Sequence, residues 1–91
     1  MEMSVEDMYK EVLTLLEELS EDNSVPRNIR KGAQQAMERL KKEDESLDVR
    51  AASAIFILDE LVNDPNIPVH GRTMVYTIIS KLEALSKEAS K

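Results

Sequence analysis

The stretches "EDNSVPRNIR" (residues 21–30) and "NDPNIPVHGR" (residues 63–72) decide the fold. Both carry an aspartate, an apolar residue, a proline and an arginine in the same order and at the same spacing. A shift of 42 residues superposes Asp22 on Asp64, Val25 on Ile67, Pro26 on Pro68 and Arg30 on Arg72. The match extends outward, with Leu16 on Leu58, Glu18 on Glu60, Leu19 on Leu61 and Leu40 on Leu82. Proline pushes the preceding residue out of the helical region. Val25 and Ile67 are therefore expected to be extended and, being apolar, to plug the end of a helical core as a staple. Each phrase reads as the turn of an αα-hairpin, used once in each half of the chain.

Four helical segments surround these turns. The first spans about Val5 to Asp22, with Ser4 as N-cap and Asp7 set against the positive end of the helix dipole. Val5, Met8, Tyr9, Val12, Leu15, Leu16 and Leu19 form its apolar stripe. The second spans about Pro26 to Lys42, with proline in the first turn and a thinner stripe of Ile29, Ala33, Ala36, Met37 and Leu40. The third spans about Leu47 to Asn63, capped by Ser46 or Asp48. Ala51, Ala54, Ile55, Leu58 and Leu61 share one face, and Ala52, Phe56, Ile57 and Val62 carry apolar surface further round. A helix apolar over most of its circumference is central or carries an interface. The fourth spans about Pro68 to Ala89 through Met74, Val75, Ile78, Ile79, Leu82 and Leu85. Short connections make successive helices antiparallel. The expected fold is all-α: one domain over residues 1–91, an antiparallel up-down-up-down four-helix bundle built from two similar helical hairpins. A 42-residue period also lies near that of HEAT and armadillo repeats, but two repeats are too few for a solenoid.

Composition agrees with that class. Ninety-one residues hold 42% hydrophobic and 33% charged residues, only two glycines and no cysteine. Aromatic residues are 3% of the chain, so the core must be aliphatic. Without cysteine, disulfides, thiolate metal sites and thiol catalysis are excluded. The start, "MEMSVEDMYK", is acidic and lacks a signal pattern, and the most apolar run, "AASAIFIL", is too short to span a bilayer. The expectation is a soluble cytoplasmic protein without a membrane partner.

Charge is unevenly spread. Net charge is −6, which disfavours generic nucleic acid and anionic surfaces. Residues 4–22 carry seven acids against one lysine, whereas residues 26–42 carry Arg27, Arg30, Lys31, Arg39, Lys41 and Lys42 against Glu38 alone. The expectation is that acidic helix one neutralises basic helix two. The alternative is a basic stripe docking an acidic partner or RNA, although aromatic side chains for base stacking are missing there. Arg30 and Arg72 are expected to pair with Asp22 and Asp64 across the turns. Their alternative is an anion site near two helix N-termini. Arg50 is expected to find Asp44, Glu45 or another nearby acid.

Candidate chemistry is sparse. His70 is the only histidine, without a glutamate three residues before it, and reads as an exposed or loop-packing imidazole. Ser53, Thr77 and Ser80 lie within helices without a relay. Adjacent acids such as Glu17–Glu18 and Asp59–Glu60 point apart. Gly32 and Gly71 are isolated, so no phosphate loop is present. No catalytic, cofactor-binding or metal-ligating residue is assigned, no cofactor is expected, and no small-molecule substrate is evident. The expected function is a non-enzymatic protein-interaction or assembly module, a homodimer or complex subunit docking near Phe56 and Ile57. The runner-up is a nucleic-acid-associated protein using helix two.

The motifs "VPRNIRKGA" (25–33), "LDVRAASAIFILDEL" (47–61) and "NDPNIPVHGRTMVYTIISKLE" (63–83) resemble those of an uncharacterised protein family (UPF) of short acidic all-helical archaeal proteins. The resemblance covers most of the chain beyond helix one and the tail. It implies a four-helix bundle from an archaeal cytosol, suited to high temperature, with no assigned activity. It offers no functional residue to carry over.

Overall fold

The computed structural model describes residues 3–91; the first two residues of the acidic start lie outside the described residues. Four helices follow in order: α1 (Val5–Ser20), α2 (Arg27–Leu40), α3 (Leu47–Val62) and α4 (Val69–Ala89), with no strand among the described residues.

The helix starts show three different solutions to unpaired first-turn donors. At α1 the Ser4 hydroxyl accepts from the Asp7 N–H at 3.0 Å, a side-chain N-cap with two acids beside it. At α2 and α4 the prolines stand one position earlier than expected. Pro26 and Pro68 have ψ of 155° and 158°, so each is the half-in cap residue rather than the first helical one. Their carbonyls accept the first helical bonds, from Arg30 at 3.2 Å and Arg72 at 3.0 Å. At α3 Ser46 is the cap residue, but its hydroxyl donates to Asp48 Oδ1 at 2.6 Å instead of accepting from the backbone.

The first three helices end one or two residues short of the expected ends, and α4 ends at Ala89 as expected. Asp22 and Asp64 account for two of these. Each carboxylate accepts the backbone N–H two residues on, from Ser24 at 2.9 Å and Asn66 at 2.8 Å. Such side-chain turns compete with helix continuation.

The elements α1 and α3 each pack against α2 and α4, while the diagonal pairs do not meet. The core is aliphatic throughout. Leu16, Leu19, Ile29, Leu40, Leu58, Ile78, Leu82 and Leu85 are its largest fully buried side chains, and no polar residue is buried among the described residues. Val25 and Ile67 close one end, 3% and 6% exposed. Small residues bring α2 and α3 together: Ala33 and Ala36 are buried on one side, Ala51 and Ala54 on the other. A Cβ at Gly32 would stand 2.6 Å from a Leu61 methyl. The radius of gyration, 12.5 Å, matches the roughly 12 Å expected of a compact chain this long.

Candidate functional site

Three surface features remain once the core is accounted for. The first is the pair of proline turns. The expected Asp22–Arg30 and Asp64–Arg72 pairs do not form. Asp22 binds Ser24 instead, through the N–H and through the hydroxyl at 2.5 Å. Arg30 donates to the Asn23 side chain at 2.7 Å. Asp64 accepts from Asn66 and from the side-chain amide of Asn28, and Arg72 stands exposed. A carboxylate two residues from a free N–H is already placed for it. An arginine must order a long side chain to compete, at a cost of up to about 2 kcal/mol in rotamer entropy. Arg50 also departs from expectation: its Nη1 donates to the Leu40 carbonyl at 2.9 Å. It serves the C-terminal end of α2, which no acid could do.

The two turns hold each other. Ser24 Oγ lies 2.6 Å from His70 Nε2, so Asp22 reaches His70 through Ser24. Asp64 binds Asn28 directly. The 42-residue offset carries Asp22 onto Asp64 and Asn28 onto His70, so the two links are the same pair of positions exchanged between turns. The sequence comparison overlooked Ser24 and Asn28, although the offset that aligns the aspartates also aligns Asn28 with His70.

A serine beside a histidine invites a catalytic reading, and the geometry answers it. The Asp22 carboxyl is held below its usual range, first by the Ser24 hydroxyl and next by the Ser24 N–H. Its oxygens accept only, so Ser24 donates its one proton to Asp22. His70 Nε2 must then donate to Ser24. The imidazole faces the hydroxyl as a donor, the reverse of what a general base requires. Ser53, Thr77 and Ser80 are not brought to His70, and no three histidine, aspartate or glutamate side chains among the described residues could hold a metal ion.

The second feature is a groove of about 310 Å³ lined by Ser20, Arg27, Arg30, Lys31 and Gln34. The expected neutralisation of α2 by α1 is not made by ion pairs. Among the described residues, the one ion pair between helices joins Glu11 of α1 to Lys81 of α4 at 3.0 Å. Lys42 reaches only Asp44, at 4.0 Å.

The third feature is apolar. The chain's single phenylalanine, Phe56, is 68% exposed, and Tyr76 is 54% exposed. Together with Asp59, Glu60, Val62 and Asn63 they line a shallow groove of about 330 Å³ between α3 and α4. Val49 and Ala52 extend the face along α3, and Val69 and Thr73 along α4. Ile57, expected to share the face with Phe56, is instead half-buried against the core. One residue of helix rotation, about 100°, separates the two. Tyr76 was missed because it falls outside the buried stripe of α4; its spacing from Val69 and Thr73 is the signal that places it.

Among the described residues no helix is long and apolar enough to cross a membrane. The chain is 57% identical over 82 residues to a UPF0147 protein of Thermoplasma acidophilum, spanning 90% of this chain and 93% of that one. It is 49% identical over 82 residues to a UPF0147 protein of Methanocaldococcus jannaschii, spanning 90% and 88%. A crystal structure of a protein from uncharacterized family UPF0147 from Thermoplasma acidophilum superposes with a TM-score of 0.85 at 56% identity, covering 88% of this chain and 94% of that one. These relatives are archaeal, and the family's function is unknown. Residues 1–85 match the Uncharacterised protein family (UPF0147), and the chain belongs to it.

Proposed function

We propose that the protein is a non-enzymatic, cytoplasmic interaction module that works as a homodimer or as a small subunit of a complex, docking through the α3–α4 face around Phe56 and Tyr76. The observation that carries this is Phe56. A chain with one phenylalanine and an aliphatic core leaves that ring 68% exposed, beside an exposed tyrosine, in a groove. Aromatic residues are enriched in the buried centres of interfaces. Burying a phenylalanine contributes about 1.5–3 kcal/mol. A specific interface needs roughly 800 Å² per partner, about one seventh of the 5653 Å² accessible surface. One side of a four-helix molecule is of that order. The donor role of His70 Nε2 supports the non-enzymatic part of the reading, and the large charged fraction, 33%, suits a cytoplasmic one.

We read the architecture behind that face as an antiparallel up-down-up-down bundle of two similar hairpins. The support is local: the bonds Asp22 N–H to Leu19 O and Val25 N–H to Asp22 O recur as Asp64 to Leu61 and Ile67 to Asp64. The exchanged links between the turns bring the two joints to one end.

Sedimentation equilibrium at about 100 μM, well above common specific dissociation constants, should report twice the 10.3 kDa chain mass or, in native extract, a larger complex. Phe56→Glu with Tyr76→Glu should abolish either while leaving the helical circular dichroism unchanged. The same mass and the same co-purifying proteins for wild type and variant would overturn the reading.

The α2 groove supports a second reading, association with nucleic acid, because three cations line it. Against the net charge of −6, fluorescence anisotropy should find no tight binding of generic RNA or DNA at physiological salt. Any weak binding should fall steeply with salt and vanish in Arg27→Glu with Lys31→Glu. Tight binding of RNA or DNA at physiological salt that this double variant abolishes would favour this reading over the first.

A further inference from the structure

The exposed face of α3 has a pattern centred on Phe56. With about 100° per residue, Val49, Ala52, Ser53, Asp59, Glu60 and Asn63 all fall within about 60° of the Phe56 direction. Ser53 and Glu60 lie on the flank toward α2: Arg39 of α2 donates to Ser53 Oγ at 3.3 Å, and Glu60 lines a groove with Lys31 and Gln35 of α2. Ala52 and Asp59 lie on the flank toward α4. Neither Arg39 nor Glu60 has an ion-pair partner within the described residues.

A two-fold axis through Phe56 can run along α3 or across it. Along it, the two copies of α3 are parallel. Residues then meet at equal height with flanks exchanged, so Glu60 faces Asp59 of the second copy. Two carboxylates from each chain would crowd together, which costs several kcal/mol in a desolvated interface. Across it, the copies are antiparallel and flanks are kept. Residues above Phe56 meet residues an equal distance below. Ser53 lies about 4.5 Å below and Glu60 about 6 Å above, at about 1.5 Å per residue. Glu60 of one copy then stands over Ser53 of the other, where Arg39 already reaches. Asp59 stands over Ala52, with no like charge, and the two Phe56 rings meet on the axis.

We infer that the partner on this face is a second copy of the chain, with the two α3 helices antiparallel across Phe56 and Arg39 of each copy paired with Glu60 of the other. The inference rests on the α3–α4 docking face proposed above. It explains why an arginine of α2 is laid across α3 onto a serine, although a single neutral hydroxyl is a poor reason to order it. The symmetry makes two such pairs per dimer.

A charge exchange tests the arrangement. Sedimentation equilibrium at low salt should show Arg39→Glu and Glu60→Arg each weakening the dimer by about tenfold, since each change affects both pairs. The double variant, with the charges exchanged, should return to within about threefold of wild type. High salt should narrow all these differences. Phe56→Glu should dissociate the dimer outright. Both charged positions are exposed, so circular dichroism should stay unchanged. A double variant as weak as either single one, or three charge variants equal to wild type, would overturn the antiparallel pairing while Phe56→Glu still upheld the docking face. A wild-type monomer would overturn the second copy as the occupant while the extract measurement still decided the docking face, and a dimer indifferent to Phe56→Glu would overturn both.

Discussion

Arg50 stabilises a helix end that the acids around it could not serve. Its Nη1 binds the Leu40 carbonyl, one of the last four carbonyls of α2, which lack an intrahelical partner. Its Nε is buried without a partner, which offsets part of the gain. Arg50→Ala should therefore destabilise by about 1 kcal/mol in urea denaturation. Asp44→Ala and Glu45→Ala should stay within about 0.5 kcal/mol of wild type, as should Arg72→Ala. The carboxylates follow a different rule. Ser24 lowers the pKa of Asp22, and the Ser46 hydroxyl lowers that of Asp48. A depressed carboxylate adds stability above its unfolded pKa and loses it as pH falls through the folded value. The stability gap between wild type and Asp22→Asn should be open at neutral pH and close below about pH 4; a gap that widened in acid would contradict the assignment. These side-chain bonds were the least legible part of the sequence. Asp22 and Arg30 share the spacing of a salt bridge, but spacing does not rank an arginine against an amide two residues away.

Elements were easier to read than their partners. All four helices are found within two residues of the expected ends, because heptad-like runs such as Val12, Leu16 and Leu19 leave few alternatives to an amphipathic helix. Ends were missed where an aspartate turned the chain, where a proline served as the cap itself, and at the end of α2, which stops at Leu40. The charge asymmetry between α1 and α2 was legible, but its resolution was not, since composition does not say which faces meet. The Glu11–Lys81 pair shows the outcome: α1 is tied by charge to α4. Both side chains are 39% exposed, so solvent screens them, and Lys81→Ala should cost under about 1 kcal/mol and lose that effect in high salt. The apolar contacts matter more. Leu58→Ala, at a fully buried position of α3, should cost about 2–5 kcal/mol. That is a large part of the roughly 5–14 kcal/mol expected for a domain of this length.

For the whole molecule, the exchanged links between the proline turns bear on how the chain becomes a folded unit. Asp22 and Ser24 are completed by His70, and Asp64 is completed by Asn28. Neither half of the chain finishes its own turn. Each half also buries only one side of a core that needs α1 against α4 and α2 against α3. Two peptides, 1–43 and 44–91, cut within the exposed joint between α2 and α3, should therefore each be largely unfolded alone. Mixed in equal amounts, they should recover the helical circular dichroism of the intact chain, with a midpoint that rises with concentration. A half that folds unaided would show that the core, and not the exchange, is divisible. If neither does, the continuity of the backbone between Leu40 and Leu47 is a convenience of synthesis, and the native state is a contract between two short chains that happen to be joined.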